Sequence, residues 1–91
     1  MMPQYQLSIP KPIRRAIDRL PGHYRQRVWG TIAALANDPR PFNAKPLREH
    51  EEIYRIRLDT IRIVYSIEDD SLLIEVVKVV HKHGPEFYEG L

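Results

Sequence analysis

Three arginines, Arg55, Arg57 and Arg62, interrupt the hydrophobic stretch IYRIRLDTIRIVYSI, which covers residues 53–67. A guanidinium group stays charged at neutral pH, and its planar set of N–H donors matches the oxygens of a phosphate. Such groups bind anions and stabilise the negative charge that develops when a phosphodiester reacts. What the three arginines can do depends on whether they share one surface.

A two-residue turn at Asp59 and Thr60 would place the arginines on one face of a hairpin. The resulting pairs are Leu58 with Ile61, Ile56 with Ile63 and Tyr54 with Tyr65 on one side, and Arg57 with Arg62 and Arg55 with Val64 on the other. Like charges opposite each other destabilise a sheet, so this arrangement favours a bound anion. The alternative is that the arginines are solvated positions that keep the sheet soluble, and the pattern leaves both readings open.

The C-terminal residues HKHGPEFYEGL supply a second group of reactive side chains, His81, Lys82, His83 and Tyr88. Histidine, lysine and tyrosine move protons or stabilise the charge on a phosphate. His81 and His83, two residues apart, would share a strand face, but no third metal ligand is identifiable. We therefore predict no metal site.

The sequence lacks the common signatures of cofactor-dependent and metal-dependent enzymes. It contains no glycine-rich nucleotide loop, no HExxH motif, no acidic cluster suited to a two-metal nuclease, and no cysteine. We therefore predict no cofactor. A phosphodiesterase without a metal would act on RNA, because the 2′-hydroxyl of RNA can itself attack the adjacent phosphorus.

The length and charge distribution predict one small domain, residues 1–91, with a basic front half. Residues 1–48 hold nine Lys or Arg and two acids, whereas residues 49–91 hold five Lys or Arg and ten acids. A cationic surface suits a polyanion or an acidic protein partner. No apolar run reaches the roughly 20 residues that span a bilayer, and no signal peptide is evident, so we expect a cytoplasmic protein.

Hydrophobic spacing predicts an α+β fold with the element order β, α, α, β, β, β. The apolar positions indicate a first strand at Gln4–Ile9, a basic helix with Ile13, Ala16, Ile17 and Leu20 inward, and a second helix with Tyr24, Val28, Ile32 and Leu35 inward. The proline-rich DPRPFNAKPL is predicted to be a loop. Three antiparallel strands, Ile53–Leu58, Ile61–Ile67 and Leu72 to about His81, would complete a four-stranded sheet with both helices on one face.

The segments YRIRLDTIRIVYSI and VVKVVHKHGPEFY resemble the RelE branch of the RelE/ParE toxin superfamily. The resemblance covers almost the whole chain and rests on the order and spacing of several motifs. It implies a RelE-like microbial ribonuclease fold and a ribosome-dependent, metal-independent endoribonuclease that cuts messenger RNA and inhibits translation. It also implies a cognate antitoxin protein as partner, besides the ribosome and mRNA.

The resemblance also implies roles for individual residues. Arg55 and Arg57 correspond to the substrate-binding cations of the sheet, Arg62 to the phosphate-stabilising arginine, and Tyr88 to the C-terminal tyrosine. Lys82 stands where the family has an arginine, which keeps the charge but loses the planar fork. We hypothesise a mechanism in which Tyr88, or a group activated by neighbouring cations, accepts the proton of the 2′-hydroxyl, and Lys82 or His81 protonates the leaving oxygen.

Two other functions remain compatible with these residues. One is a ParE-like toxin that inhibits DNA gyrase on the same scaffold. The other is a catalytically inert module that binds nucleic acid or an antitoxin through its basic surface.

Overall fold

The computed structural model describes residues 4–81, which form two helices and a five-stranded sheet. The elements are β1 (Gln6–Ser8), α1 (Lys11–Asp18), α2 (Gly22–Leu35), β2 (Ala44–Leu47), β3 (His50–Leu58), β4 (Ile61–Glu68) and β5 (Leu73–His81). The strand order across the sheet is β1-β5-β4-β3-β2. The predicted α+β class and the helical hairpin are confirmed.

The two helices begin at prolines and bury one apolar stripe each. Pro12 lies in the first turn of α1, where a missing N–H costs nothing, and Pro21 precedes α2. Ile17 of α1 and Val28 of α2 are fully buried against the sheet. None of the helices between residues 4 and 81 is long and apolar enough to span a bilayer.

The β3–β4 hairpin has the register predicted from the sequence. Leu58 pairs with Ile61, and Arg57 pairs with Arg62. The two-residue turn places Asp59 in the left-handed region, with φ 57°. Aspartate tolerates this conformation better than most residues, which explains how the turn forms without glycine.

The prediction of four strands was wrong, because part of the predicted loop forms a fifth strand. Residues Ala44–Leu47 pair antiparallel with β3 at the edge of the sheet. Their sequence, AKPL, lacks the β-branched residues that indicate a strand, and it contains Pro46. An edge strand accommodates proline because one of its sides needs no hydrogen-bond donor.

The sheet is also mixed. Strand β1 pairs in parallel with β5, whereas the other neighbours are antiparallel. The helical hairpin leads from β1 at one edge of the sheet to β2 at the other edge, so the parallel neighbours β1 and β5 lie far apart in sequence.

The hydrophobic core lies between the helices and one face of the sheet. Its largest fully buried side chains are Tyr65, Ile17, Ile32, Leu35, Ile56, Ile61, Ile63 and Ile74. Burying a side chain of this size stabilises a fold by about 1.5–3 kcal/mol. The other face of the sheet carries no helix among the described residues.

Candidate functional site

Among residues 4–81, the face of the sheet opposite the helices, called the helix-free face below, gathers five cations. Strand alternation puts Ile56 and Ile63 into the core, so their neighbours along the strands project from the opposite face. One cross-strand row runs from Lys45 through Arg55 and Val64 to Lys78, and the next contains Arg57 and Arg62. We call these residues, Lys45, Arg55, Arg57, Arg62 and Lys78, the cationic face.

The arginine pair lies at the hairpin end of the cationic face. A shallow depression there is lined by Arg57, Asp59, Thr60, Ile61 and Arg62. Among residues 4–81, no carboxylate forms an ion pair with Arg55 or Arg57. The positive charge of Arg55 and Arg57, held without an internal counter-ion among these residues, attracts an external anion such as a phosphate.

A chain of polar contacts supports the hairpin turn from the helix side. The hydroxyl of Tyr24, on α2, donates to Asp59 Oδ2 at 3.0 Å. Thr60 Oγ1 donates to the Tyr24 hydroxyl oxygen at 3.4 Å, and His81 Nε2 lies 3.1 Å from Thr60 Oγ1. The Tyr24 and His81 rings are 5.4 Å apart. Helix α2, the turn and the end of β5 are thereby joined.

His81 projects from the sheet on the side opposite to the arginines. It pairs with Ile61, which is buried in the core, whereas Arg62 pairs with Val80. The structure brings Arg55, Arg57 and Arg62 to one face, and it places His81 against α2 instead. Lys82 and Tyr88, the other two predicted site residues, lie outside the described residues.

The far end of the sheet holds a second polar cluster, which the sequence analysis missed. The Arg40 guanidinium donates to both carboxylate oxygens of Asp69, at 3.2 and 2.8 Å, and to the Tyr54 hydroxyl at 3.1 Å. Tyr5 donates to the same carboxylate at 2.6 Å. The hydrogen bonds from Arg40 and Tyr5 lower the pKa of Asp69, and the bond to Asp69 raises the pKa of Tyr5.

This second cluster positions the loop that leads into β2. The Tyr65 hydroxyl donates to the Pro39 carbonyl at 2.8 Å, beside Arg40, and burial raises the pKa of Tyr65. The Arg40 and Asp69 side chains are 41% and 56% exposed, so their ion pair is largely screened. The cluster thus joins Arg40, in the segment DPRPFNAKPL, to Asp69, which lies 29 residues further along the chain in the turn after β4.

The donor chemistry of the site suits an anion. Among residues 4–81, no three His, Cys, Asp or Glu side chains are arranged to hold a metal ion. Guanidinium and ammonium groups stabilise negative charge directly, without a bound cation as intermediary.

Two helices and a mixed five-stranded sheet match the fold of RelE toxin structures. The chain belongs to the family described as ParE toxin of type II toxin-antitoxin system, parDE, which matches residues 8–84. It is thus a toxin of a type II toxin-antitoxin system, and the resemblance to the RelE branch of the superfamily is confirmed.

Individual relatives agree with this assignment. The chain is 26% identical to the toxin in the RelBE2 toxin-antitoxin complex of Mycobacterium tuberculosis, with a TM-score of 0.75 over 90% of this chain and 95% of that chain. A RelE-RelB complex of Pyrococcus horikoshii shares the fold, with a TM-score of 0.79 at 24% identity, over 90% of this chain and 99% of that chain. A Methanocaldococcus jannaschii protein that carries the name RelE1 is 25% identical over 84 residues, which span 89% of this chain and 93% of the relative.

Proposed function

We propose that this toxin is a ribosome-dependent endoribonuclease that cleaves messenger RNA without a metal ion and so inhibits translation. The observation that carries the proposal is the cross-strand pair of Arg57 and Arg62 on the helix-free face. Two opposed guanidinium groups cost stability, and a bound phosphate offsets that cost. The ribosome as target makes the cytoplasm the site of action.

The cationic face supplies the electrostatic part of this reaction. The 2′-hydroxyl oxygen attacks the adjacent phosphorus, the bond from phosphorus to the 5′-oxygen breaks, and a cyclic phosphate and a 5′-hydroxyl result. Arg62 stabilises the charge on the pentavalent phosphate, while Arg55 and Arg57 hold the RNA backbone. Donors fixed in place before the reaction stabilise this charge without reorganisation.

The proton transfers are assigned to the C-terminal residues. Tyr88 accepts the proton of the 2′-hydroxyl, and Lys82 delivers a proton to the leaving 5′-oxygen. Nearby cations favour the phenolate form that a base requires. We assign the acid role to Lys82 rather than to His81, because the His81 ring contacts Thr60 and Tyr24 on the helix side of the sheet.

We further propose that a cognate antitoxin binds this chain and covers the cationic face. The relatives from Mycobacterium tuberculosis and Pyrococcus horikoshii were both solved as toxin-antitoxin complexes. An antitoxin segment with acidic side chains would complement the positive charge of the cationic face.

The test compares the wild type with Arg62→Ala on ribosomes programmed with a defined mRNA. We expect the wild type to cut the mRNA at codon-related positions, in the presence of a chelator and only when ribosomes are present. Arg62→Ala should lower the cleavage rate about 100-fold or more, as loss of one preorganised donor does.

The control is Arg15→Ala, which removes the same charge from the exposed surface of α1 and should cleave normally. A DNA gyrase supercoiling assay runs in parallel. Inhibition of gyrase without any mRNA cleavage would replace this proposal with the ParE-like function.

A further inference from the structure

Asp59 is an acidic residue at the edge of a site that must bind phosphate. Its position is two residues after Arg57, and both line the same depression. Residues two apart on a strand project from the same face, so a regular strand would direct the Asp59 carboxylate toward Arg57. An ion pair between them would neutralise part of the cationic face.

The Asp59 carboxylate instead contacts the helix side of the sheet. The left-handed turn conformation redirects its side chain, and Tyr24 on α2 donates a hydrogen bond to its Oδ2 at 3.0 Å. Within residues 4–81, Asp59 forms no ion pair with Arg57.

The neighbouring contacts fix the direction in which the Tyr24 hydroxyl donates. Thr60 Oγ1 donates to the Tyr24 oxygen, which leaves the phenolic proton for Asp59. His81 in turn contacts Thr60, and its ring lies 5.4 Å from the Tyr24 ring in a tilted arrangement. The chain of contacts thus makes Tyr24 a donor to Asp59.

We propose that Tyr24 is a positioning residue that holds the Asp59 carboxylate on the helix side and so keeps Arg57 available for RNA phosphate. This inference rests on the proposed function in treating the cationic face as the phosphate-binding surface. It assigns a role in substrate binding to a helix residue that lies on the opposite side of the sheet.

The test is a double-mutant cycle of Tyr24→Phe and Asp59→Asn. The purified full-length variants bind a single-stranded, fully 2′-O-methylated RNA oligonucleotide, which they cannot cleave, and Kd is measured over a range of salt concentrations. Tyr24→Phe frees the carboxylate to pair with Arg57, so we expect about three- to fivefold weaker binding, the size of an exposed ion pair. The slope of log Kd against log salt should fall by about 0.7, as expected for the loss of one phosphate contact.

Adding Asp59→Asn to Tyr24→Phe should restore both the affinity and the salt slope, because asparagine carries no charge and tolerates the left-handed turn. A merely structural role of Tyr24 predicts no such rescue. A double variant that binds as weakly as Tyr24→Phe would therefore overturn the proposal.

Asp59→Asn alone gives a test that does not depend on the folding of Tyr24→Phe. Since the carboxylate is already held away from Arg57, we expect this variant to keep the wild-type salt slope. A steeper slope, by about 0.7, would show that Asp59 pairs with the cationic face in the wild type and would contradict the proposal.

Tyr5→Phe is the matched control, because it removes a hydroxyl that also donates to an aspartate, at the far end of the sheet. It should bind the oligonucleotide like the wild type.

The results also separate this inference from the proposed function. If the variants show the expected coupling between Tyr24 and Asp59 in RNA binding, but the wild type never cleaves mRNA on ribosomes, the proposed function is refuted and this inference stands. Wild-type chain that does not bind the oligonucleotide would refute the inference itself.

Discussion

At the scale of single residues, the cationic face contains like-charged cross-strand pairs that lower the stability of the fold. Arg57 lies directly opposite Arg62, and Arg55 lies opposite Lys45. Each like-charged pair opposes folding, and the core on the other face of the sheet must offset this repulsion. Such a cost is typical of residues that are positioned to bind a ligand.

Replacing one member of the arginine pair should stabilise the isolated protein. Arg57→Thr removes the repulsion and introduces a residue that favours strands, so we expect the free energy of unfolding to rise by about 0.5 kcal/mol. Urea denaturation measures it, and the gain should shrink in high salt as the repulsion is screened. Arg15→Gln on α1, which keeps a residue of similar helix propensity, is the control for loss of charge. A clear loss of stability in Arg57→Thr would mean that the two arginines do not repel each other.

At the scale of elements, structure that depends on residues close in sequence was predicted correctly, whereas structure that depends on residues distant in sequence was not. The β3–β4 hairpin register was predictable because alternation and a two-residue turn are local properties. Strand β2 was not, since the edge pairing of its AKPL sequence and the preceding contact of Arg40 with Asp69 depend on residues distant in sequence.

The same limit applies to the candidate site. Strand alternation and the two-residue turn together predicted the shared face of Arg55, Arg57 and Arg62. The contact of Tyr24 with Asp59 joins residues 35 apart, and no local pattern in either segment indicates it. The position of His81 on the helix side follows from the irregularity in the β4–β5 register, which shifts between Val64 and Tyr65.

The second polar cluster should make the free energy of unfolding depend on pH in both the acidic and the alkaline range. The folded-state pKa of Asp69 lies below its ordinary value of 3.8, so its contribution is present above that pH and is lost as pH falls through the lower folded-state pKa. The folded-state pKa of Tyr5 lies above 10.0, so its contribution is present below pH 10.0 and is lost as pH rises through the raised pKa.

Asp69→Asn removes the largest cause of the pKa shift of Tyr5 together with the titrating carboxylate. We expect its Tm to be lower than that of the wild type near neutral pH and to change less toward acid and toward base. Asp70→Asn, the exposed neighbour, is the control. Parallel Tm profiles for the wild type and Asp69→Asn would show that the cluster does not contribute to stability.

At the scale of the whole molecule, charge is separated along the direction of the strands. Among the described residues, the hairpin end of the sheet carries Arg57 and Arg62 beside the single acid Asp59, whereas the opposite end carries Arg40 beside the acids Glu51, Glu52, Glu68, Asp69 and Asp70. The small formal net charge of +2 conceals this separation. A field of this shape attracts a polyanion to one end of the sheet and orients it there.

The central claim is that the 2′-hydroxyl of the RNA, and not an activated water molecule, attacks the phosphorus. The most direct measurement uses ribosomes programmed with an mRNA that carries one 2′-deoxynucleotide immediately 5′ of the cut position. We expect cleavage at that bond to be abolished, while an all-ribose mRNA is cut to a cyclic phosphate and a 5′-hydroxyl. Cleavage of the deoxy-substituted bond at the normal rate would contradict the account.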